Sequence, residues 1–268
     1  MKQYNNYTAD DFTFVVCAYQ ECEYLEEAIC SVKEQTISAK ILISTSTPND
    51  FIQGIADRYD IPVCVNQDGG QIKDYNFAMA LPETPLMMLM HQDEILAPAF
   101  LEKVLNALNH AKDPIIAFTN YLEMHNDEVD KKPSTMVRIK RMLLWPSLVH
   151  AWQGTWIGKR GIQLLGNPIT HPTVVCVKDK MPEPVFVEKY KASMDWDLWE
   201  RLSRQKGSFV YVKDVLLYHR MNDLNQTAKL LKTTNARYDD EYEIFCRFWP
   251  KWIAKLLMKF YSGAAKYY

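Results

Sequence analysis

Short apolar runs alternate with helical patterns through the first 120 residues, and this alternation constrains the fold more than any other feature. The apolar runs are FTFVVCA (12–18), KILIST (40–45), IPVCV (61–65), PLMMLM (85–90) and PIIAFT (114–119). Helical patterns lie between them, near 23–35, 49–59, 71–80 and 98–110. Such alternation is typical of βαβ units, which build a mostly parallel sheet with helices on both faces. In these sheets, ligands bind beyond the carboxyl ends of the strands.

Composition narrows the class of protein. The 268 residues are enough for one large α/β domain, alone or with an appendage. With 48% hydrophobic residues, 24% charged residues and a formal charge of −2, the chain has the composition of an ordinary globular protein. It lacks the overall basicity typical of nucleic-acid binding, so no nucleic-acid partner is expected.

The cysteines and the amino-terminal sequence indicate the cellular compartment in which the protein is expected. The six cysteines include no CxxC pair, and Cys17, Cys64 and Cys176 lie inside apolar runs. This favours buried free thiols over disulfides, and therefore a reducing compartment. The opening MKQYNNYTADDF has no apolar h-region, and no stretch approaches the ~18 apolar residues of a spanning helix. We therefore predict a cytoplasmic protein.

Beyond residue 120 the regular alternation ends. Residues 121–170 predict irregular connections and short helices. Three strand candidates follow, which are TVVCV (173–177), FVYV (209–212) and VLLYHR (215–220). Before the second of these, SMDWDLWERLSRQKG predicts a helix that Ser193 caps and Gly207 terminates.

The residues HQDE (91–94) directly follow the apolar run LMMLM. An ionised carboxylate is costly to desolvate, so Asp93 and Glu94 at the mouth of a sheet need a cation, a hydrogen-bond network or water. A hard divalent metal such as Mg²⁺ or Mn²⁺ fits, because it takes one or two carboxylates together with substrate phosphate oxygens. The alternative is a solvated loop in which one carboxylate helps the next helix to begin.

Two further groups of polar residues lie later in the chain. Asp195 and Asp197 start a helix whose dipole favours negative charge and keeps a carboxylate ionised. Positions i and i+2 do not share a helix face, so at most one of the two points into a cleft, and helix capping is the alternative role. His219 and Arg220 end an apolar run and suit a phosphate group, with a surface loop as the alternative.

Four segments, taken in order, resemble glycosyltransferase family 2 over roughly residues 12–230. AYQECEYLEEAICSVKEQT is similar to the family's opening strand and helix, and NQDGGQIKDYNFAMA to its loop ending in an asparagine before a short helix. HQDE occupies the position of the metal-binding Asp-x-Asp motif, and MDWDLWERL resembles the Glu-Asp motif. The resemblance implies a GT-A fold, an α/β architecture whose mostly parallel nucleotide-binding sheet is flanked by helices, with an acceptor-side region and a C-terminal helical tail.

The resemblance also implies roles for individual residues. Asp93 would bind the metal, with Glu94 or His91 as a second ligand. Asp195 would be the base that deprotonates the acceptor hydroxyl, and Asp197 would point into the protein and hold the helix. Another set would border the nucleotide or its diphosphate, namely Ala18, Tyr19, Glu21, Ser44, Thr45, Asn76, Gln92, His219 and Arg220.

The chain departs from the family pattern at two places. Hydroxyls at 44–47 (STST) replace the acidic residue that hydrogen-bonds the base and the Asp-Gly-Ser that follows it. A hydroxyl bonds a pyrimidine or ribose without charge assistance, which leaves the nucleotide open between UDP and dTDP. Met194 replaces the glutamate before the base, and His91 replaces the first metal-binding aspartate. Metal binding is therefore expected to be weak without the nucleotide.

Together these features predict an inverting, metal-dependent hexosyltransferase acting on a glycan or lipid-linked acceptor in surface polysaccharide synthesis. The alternative is a non-catalytic partner subunit that binds a nucleotide sugar or a glycan. Residues 1–120 would form the nucleotide-sugar-binding half, 121–230 the acceptor-binding and catalytic half, and 231–268 an amphipathic helical tail.

The tail suggests a further partner. From Arg247 to Tyr268 there are five basic residues and no acidic one, and the lysines at 251, 255 and 259 form a stripe. On a helix, the apolar side chains at 252, 253, 256, 257 and 260 form a broad face. Such a helix suits the anionic inner surface of the cell membrane, which would make the protein peripheral. Docking of this face on the catalytic domain or a second subunit is the alternative.

Overall fold

A computed structural model describes residues 2–125, 127–221 and 236–264. Within these ranges nine strands form one sheet. They are β1 (Phe12–Ala18), β2 (Lys40–Thr45), β3 (Val63–Val65), β4 (Leu86–His91), β5 (Glu94–Leu96), β6 (Pro114–His125), β7 (Glu128–Val129), β8 (Val174–Val177) and β9 (Ser208–Arg220). The helices are α1 (Leu25–Lys33), α2 (Asp50–Tyr59), α3 (Gln71–Ala80), α4 (Phe100–His110), α5 (Thr135–Leu143), α6 (Trp156–Lys159), α7 (Met194–Ser203), α8 (Ala236–Phe248) and α9 (Lys251–Ala264).

The first four strands pair in parallel in the order β3, β2, β1, β4, as the alternating apolar runs predict. The register aligns Ala18 with Thr45 and Cys17 with His91. The carboxyl ends of β1, β2 and β4 therefore meet at one edge of the sheet, where the predicted ligand-binding residues lie.

The second half of the sheet is mixed. β8 lies between β4 and β6 and is antiparallel to both, whereas β6 and β9 are parallel. The predicted fold class is confirmed, with antiparallel pairs added in this half. β6 continues past the predicted 114–119 to His125, and it crosses residue 120, so one strand spans the boundary predicted between the two halves. The segments 209–212 and 215–220 belong to a single strand, because a bulge opposite Asn120 carries the chain from Val212 to Val215 without ending the pairing.

The sheet is buried on both faces. Along β1, Phe14 packs with Phe100 on one side, whereas Val15 belongs to the apolar core on the other side, and both β1 residues are 0% exposed. A strand covered on both faces needs apolar residues at successive positions, and this explains why the first strands appear in the sequence as continuous apolar runs. Cys17, Cys64 and Cys176 lie in strands, and all six cysteines are free thiols.

The C-terminal helix α9 packs against the domain. Ala254 and Met258 are buried in the same core as α8, and Leu257 packs partly against that core. Trp252 and Leu256 stay 71% and 48% exposed on the opposite side of the helix. The predicted apolar face is thus divided between the domain and solvent, while residues 231–235, 265–268 and the Phe260 side chain lie outside the described part. No helix in the described ranges is long and apolar enough to cross a membrane.

Candidate active site

The carboxyl end of β4 carries a compact group of potential metal ligands. β4 ends at His91, a two-residue turn follows, and Glu94 begins β5, whose pairing with β9 aligns Glu94 with His219. One ligand atom each of His91, Asp93 and Glu94 lies within 4.8 Å of the other two. A tight turn between two strands therefore brings the three predicted ligands together.

Glu94 is the buried member of this group, at 1% exposure. Its Oε1 lies 2.6 Å from His219 Nδ1 and 3.9 Å from His91 Nδ1. Its Oε2 is buried and has no hydrogen-bond partner among the described residues. Burying a carboxylate oxygen without a hydrogen-bond partner costs free energy, so Oε2 of Glu94 is suited to bind a metal ion. The alternative of a solvated loop that starts the next helix is wrong, because α4 begins only at Phe100.

The electrostatics of the group favour a cation. Burial raises the pKa of Asp93 and the charge of Glu94 raises it further, while His91 and His219 act in the opposite direction. Burial alone would lower the pKa of His219, but Glu94 and Asp93 outweigh burial and raise it. A divalent cation would relieve the repulsion between the carboxylates. The two carboxylates are suitable donors for Mn²⁺ or Mg²⁺, and the His91 imidazole adds a nitrogen donor, so the residues present fit a divalent metal.

Asp195 lies in the first turn of α7. Asn167 Nδ2 donates to its Oδ2 at 2.9 Å, and the backbone N–H of Trp196 donates to its Oδ1 at 2.7 Å. Burial raises the pKa of Asp195, and the Trp196 N–H, Lys140 and Asn167 only partly oppose burial. Burial therefore outweighs the helix dipole, which was expected to keep the Asp195 carboxylate ionised. Ser193 occupies the N-cap position but its side chain makes no capping hydrogen bond, contrary to the prediction.

Asp197 points into the protein, as predicted. It is 1% exposed and pairs with Arg201 and Arg247, each at 2.8 Å. Glu200, one turn later, pairs with Arg160 and with Arg247. The ion pairs with Arg247 tie α7 to α8, and the pair with Arg160 ties α7 to the residue that follows α6. Together they fix the orientation of the helix that carries Asp195.

Lys140 is a cleft residue that the sequence alone did not reveal. Its Nζ donates to Thr170 Oγ1 at 3.1 Å and to the Tyr121 hydroxyl at 3.3 Å. Its positive charge lowers the pKa of both Asp195 and His219, in each case as a smaller contribution than burial. Lys140 is therefore close enough to act electrostatically on both the predicted base and His219. The basic run RIKR contains it, but only the fold distinguishes it from its neighbours.

Aromatic rings pack against His91, one of the candidate metal ligands. Tyr75 stacks on His91 with centroids 5.8 Å apart, and its hydroxyl lies 3.2 Å from His91 Nε2. His171 packs edge-on against His91 and near Trp199 of α7, with centroids 5.4 and 6.2 Å apart. Burial lowers the pKa of His171 to about 3, so this ring is neutral. The cluster links the end of β4 to the helix that bears Asp195.

The predicted nucleotide-binding edge is held together by local hydrogen bonds. Gln92 bridges to the backbone of Tyr19, accepting from its N–H at 2.8 Å and donating to its C=O at 3.1 Å. Ala18, Ser44 and Thr45 are buried at the ends of β1 and β2, while Tyr19 is 43% exposed and Glu21 is also exposed.

A carboxylate that the sequence comparison missed lies beside the hydroxyl run. Asp74 of α3 accepts hydrogen bonds from Ser46 Oγ at 2.8 Å and from Asn66 Nδ2 at 2.7 Å. These partners follow β2 and β3, so Asp74 brings an acid to the place where the family has one directly after the second strand. Asp74 lies on a helix and not directly after the second strand, so a comparison of sequence motifs does not identify it.

Two predicted nucleotide-binding residues are engaged elsewhere. Asn76 exchanges two hydrogen bonds of 2.8 Å with the backbone of Phe186, so its amide holds the segment before α7. Arg220 is 2% exposed, stacks 3.8 Å from the Tyr24 ring centroid and pairs with Glu27 at 2.5 Å. Successive residues on a strand point to opposite faces, so Arg220 faces away from Glu94, the candidate metal ligand that its neighbour His219 contacts. The alternative of a surface loop at 218–220 is wrong, because these residues belong to β9, whereas the nucleotide-binding role of Asn76 and Arg220 stays a prediction.

Comparison with known proteins agrees with this geometry. The family model described as glycosyl transferase family 2 matches residues 13–175, which include the metal-ligand group but end before α7. An uncharacterized glycosyltransferase of Haemophilus influenzae is 23% identical over 255 residues, covering 84% of this chain and 72% of the relative.

Solved structures share the fold at low identity. S. aureus TarS in complex with UDP-GlcNAc superposes with a TM-score of 0.62 at 13% identity, over 92% of this chain and 70% of that one. Glucosyl-3-phosphoglycerate synthase from Mycobacterium tuberculosis, in complex with Mn²⁺, UDP and glucosyl-3-phosphoglycerate, gives a TM-score of 0.54 at 12% identity, over 92% and 86% of the two chains. The family match spans more than half of the sequence, and the fold and ligand geometry agree with it: this chain is a glycosyltransferase and belongs to glycosyl transferase family 2.

Proposed function

We propose that this protein is an inverting hexosyltransferase that moves a sugar from a UDP- or dTDP-sugar to a glycan or lipid-linked acceptor in surface polysaccharide synthesis. The observation that carries the proposal is the approach of His91, Asp93 and Glu94 within 4.8 Å at the carboxyl end of β4. The complexes of TarS with UDP-GlcNAc and of the mycobacterial synthase with Mn²⁺ and UDP support a UDP-sugar and a divalent metal.

In this proposal, Asp93 and Glu94 would hold Mg²⁺ or Mn²⁺, with His91 as a third ligand. The ion would supply positive charge to the diphosphate of the donor and of the departing nucleotide. His219 fixes the orientation of Glu94 through the 2.6 Å contact to Oε1, which leaves Oε2 for the ion.

Asp195 acts as the general base. Its carboxylate takes the proton of the acceptor hydroxyl while that oxygen attacks the anomeric carbon from the face opposite the diphosphate. The new glycosidic bond forms as the bond from carbon to diphosphate oxygen breaks, and the leaving nucleotide keeps the electron pair. Asn167 holds Asp195 in place through the 2.9 Å hydrogen bond. Base catalysis of this kind typically contributes about 10²–10⁴ in rate.

The donor base and the acceptor occupy different parts of the cleft. Asp74 supplies the charge-assisted acceptor for the nucleotide base, with Ser46 as its hydrogen-bonded neighbour. Residues 1–120 hold the donor, 121–230 the acceptor, and the tail at 231–268 brings the protein to the inner face of the cell membrane as a cytoplasmic, peripheral enzyme.

Donor hydrolysis tests this function. Purified protein, incubated with a panel of UDP- and dTDP-sugars, should release nucleotide diphosphate from at least one donor with Mn²⁺ and lose that activity with chelator. Asp93→Ala should abolish the metal-dependent rate, whereas Asp10→Ala, an exposed acid outside the cleft, should not change it. Tight donor binding without hydrolysis or transfer would instead identify a non-catalytic binding subunit.

A further inference from the structure

The charge of this chain is segregated along the sequence. Residues 131–178 contain eight Lys or Arg and no Asp or Glu, and residues 247–268 contain five and none. These two segments hold 13 of the 31 basic residues and none of the 33 acidic residues. A protein with a formal charge of −2 therefore concentrates its positive charge in two segments.

Exposed apolar side chains concentrate in the same segments. In the described part of the chain, fourteen large apolar side chains are exposed, and ten of them lie between 139 and 165 or between 252 and 256. The most exposed are Trp252 at 71%, Met142 at 62%, and Trp145 and Trp156 at 56% each. Isolated exposed apolar residues are ordinary, but a concentration of this size marks an interaction surface.

The two segments meet in space. An apolar groove is lined by Met142, Trp145 and Leu165 from the first segment and by Trp249 from the second. The Trp249 indole donates to the Leu164 carbonyl at 2.8 Å. Two residues after Trp249, α9 begins and directs Trp252 and Leu256 away from the core. Trp145 and Trp249 thus share one groove, and Trp252 and Leu256 follow Trp249 within two turns along the chain.

Exposed basic side chains accompany this apolar surface. Lys131, Lys132 and Arg138 are exposed in the first segment, and Lys251, Lys255 and Lys259 in α9. No ion pair links these six to a carboxylate within the described ranges. We name these six residues, together with the exposed Met142, Trp145, Trp156, Leu165, Trp252 and Leu256 of the same two segments, the basic-aromatic face.

We propose that the basic-aromatic face, built jointly by the 131–165 segment and α9, is the surface by which this protein lies on an anionic lipid bilayer. Tryptophan and leucine side chains suit the boundary between headgroups and acyl chains, and lysines beside them contact anionic headgroups. The inference rests on the proposed function only for the choice of a lipid-linked acceptor, and it extends the membrane contact from the tail to a composite surface.

A second copy of this chain is a poorer occupant. A two-fold interface brings the same patch of both subunits together, so the lysine stripe of α9 would face an equally basic surface. An anionic bilayer instead complements both the charge and the apolar side chains.

The face also adjoins the cleft. Lys140 of α5 contacts Tyr121 on the cleft side of that helix, and Met142, two residues later on another side of the same helix, is exposed on the basic-aromatic face, so the two surfaces share α5. A protein resting on this surface would hold the acceptor side of its cleft near the bilayer, where a lipid-linked acceptor presents its sugar.

Vesicle co-sedimentation of the full chain, without donor, tests the proposal. Binding is expected to vesicles of phosphatidylglycerol mixed with phosphatidylcholine, not to phosphatidylcholine alone, and should weaken as salt rises. Replacing Lys251, Lys255 and Lys259 by Gln should weaken binding by on the order of 100-fold. The matched control, Lys2, Lys33 and Lys40 replaced by Gln, removes the same charge from exposed sites outside the two segments and should bind normally.

Aromatic variants test the composite nature of the face. Trp145→Ser with Trp156→Ser, and separately Trp252→Ser with Leu256→Ser, should each weaken binding, whereas Tyr4→Ser, exposed elsewhere, should not. Unchanged binding of the 145/156 variant would overturn the joint face, because the contact would then belong to the tail alone. Equal binding to neutral vesicles, no binding, or a dimer in solution that Trp252→Ser dissociates would each overturn the proposal. Asp195→Asn should bind vesicles normally, so failure here is distinct from failure of the proposed catalysis.

Discussion

The pH dependence of the transfer rate tests whether Asp195 is the general base. Burial raises the pKa of this carboxyl, with the Trp196 N–H and the Lys140 charge opposing burial. A base acts only when deprotonated, so the rate falls as pH drops through its pKa. The acid limb of kcat/KM should therefore lie above about 3.9, the pKa of an ordinary Asp.

Lys140→Met removes the opposing positive charge and should move this limb to still higher pH, while Lys33→Met at an exposed distant site should not move it. The comparison requires pH profiles of kcat/KM for the three proteins. A limb that stays in place or moves to lower pH in the Lys140 variant would show that this ammonium group does not act on the base.

Some residues of the candidate site can be identified from the sequence alone, and others cannot. His91, Asp93 and Glu94 are consecutive or nearly so, and one turn brings them together, so the sequence alone identified the group. Lys140 and Asp74 reach the cleft from helices distant in sequence, and their roles depend on packing that no local pattern encodes. Asn76 and Arg220 were predicted from motif position, but backbone and carboxylate partners in the fold engage them.

At the scale of elements, the parallel strands were predicted because burial on both faces produces apolar runs. The antiparallel placement of β8 was not, since a run such as TVVCV carries no sign of strand direction. β9 was predicted as two strands because the bulge places the polar pair Lys213 and Asp214 inside an otherwise apolar run.

The turn between α7 and β9 provides a test of the fold. Gly207 has φ +117°, and a Cβ there would lie 2.5 Å from the Asp113 carbonyl oxygen. Gly207→Ala should therefore destabilise the protein by about 1–3 kcal/mol or more. Gly54, within α2, has no atom within 4 Å of an added Cβ, so Gly54→Ala should stabilise by about 0.5–1 kcal/mol. Urea denaturation of both variants measures the two effects, and equal stabilities would contradict the strained geometry at Gly207.

At the scale of the whole molecule, one sheet carries both halves of the cleft. β5 pairs with β9, which fixes Glu94 against His219, and β6 carries Tyr121, which contacts Lys140. The ion pairs of Asp197 and Glu200 then hold α7, with Asp195, against α8. The proposed donor and acceptor sides would therefore be parts of one continuous sheet, and the proposed membrane surface shares α5 with the proposed acceptor side.

The most direct test of the account is the transfer rate of Asp195→Asn, measured with an active donor, Mn²⁺ and an acceptor. Asparagine keeps the shape of the side chain, so the variant should retain its melting temperature and donor affinity while losing at least about 100-fold in transfer rate. Asp197→Asn is the matched control, because it should lower stability through the lost pairing with Arg201 and Arg247 and keep most of the rate of the folded protein. A stable Asp195→Asn protein that transfers sugar at a near-normal rate would contradict the account.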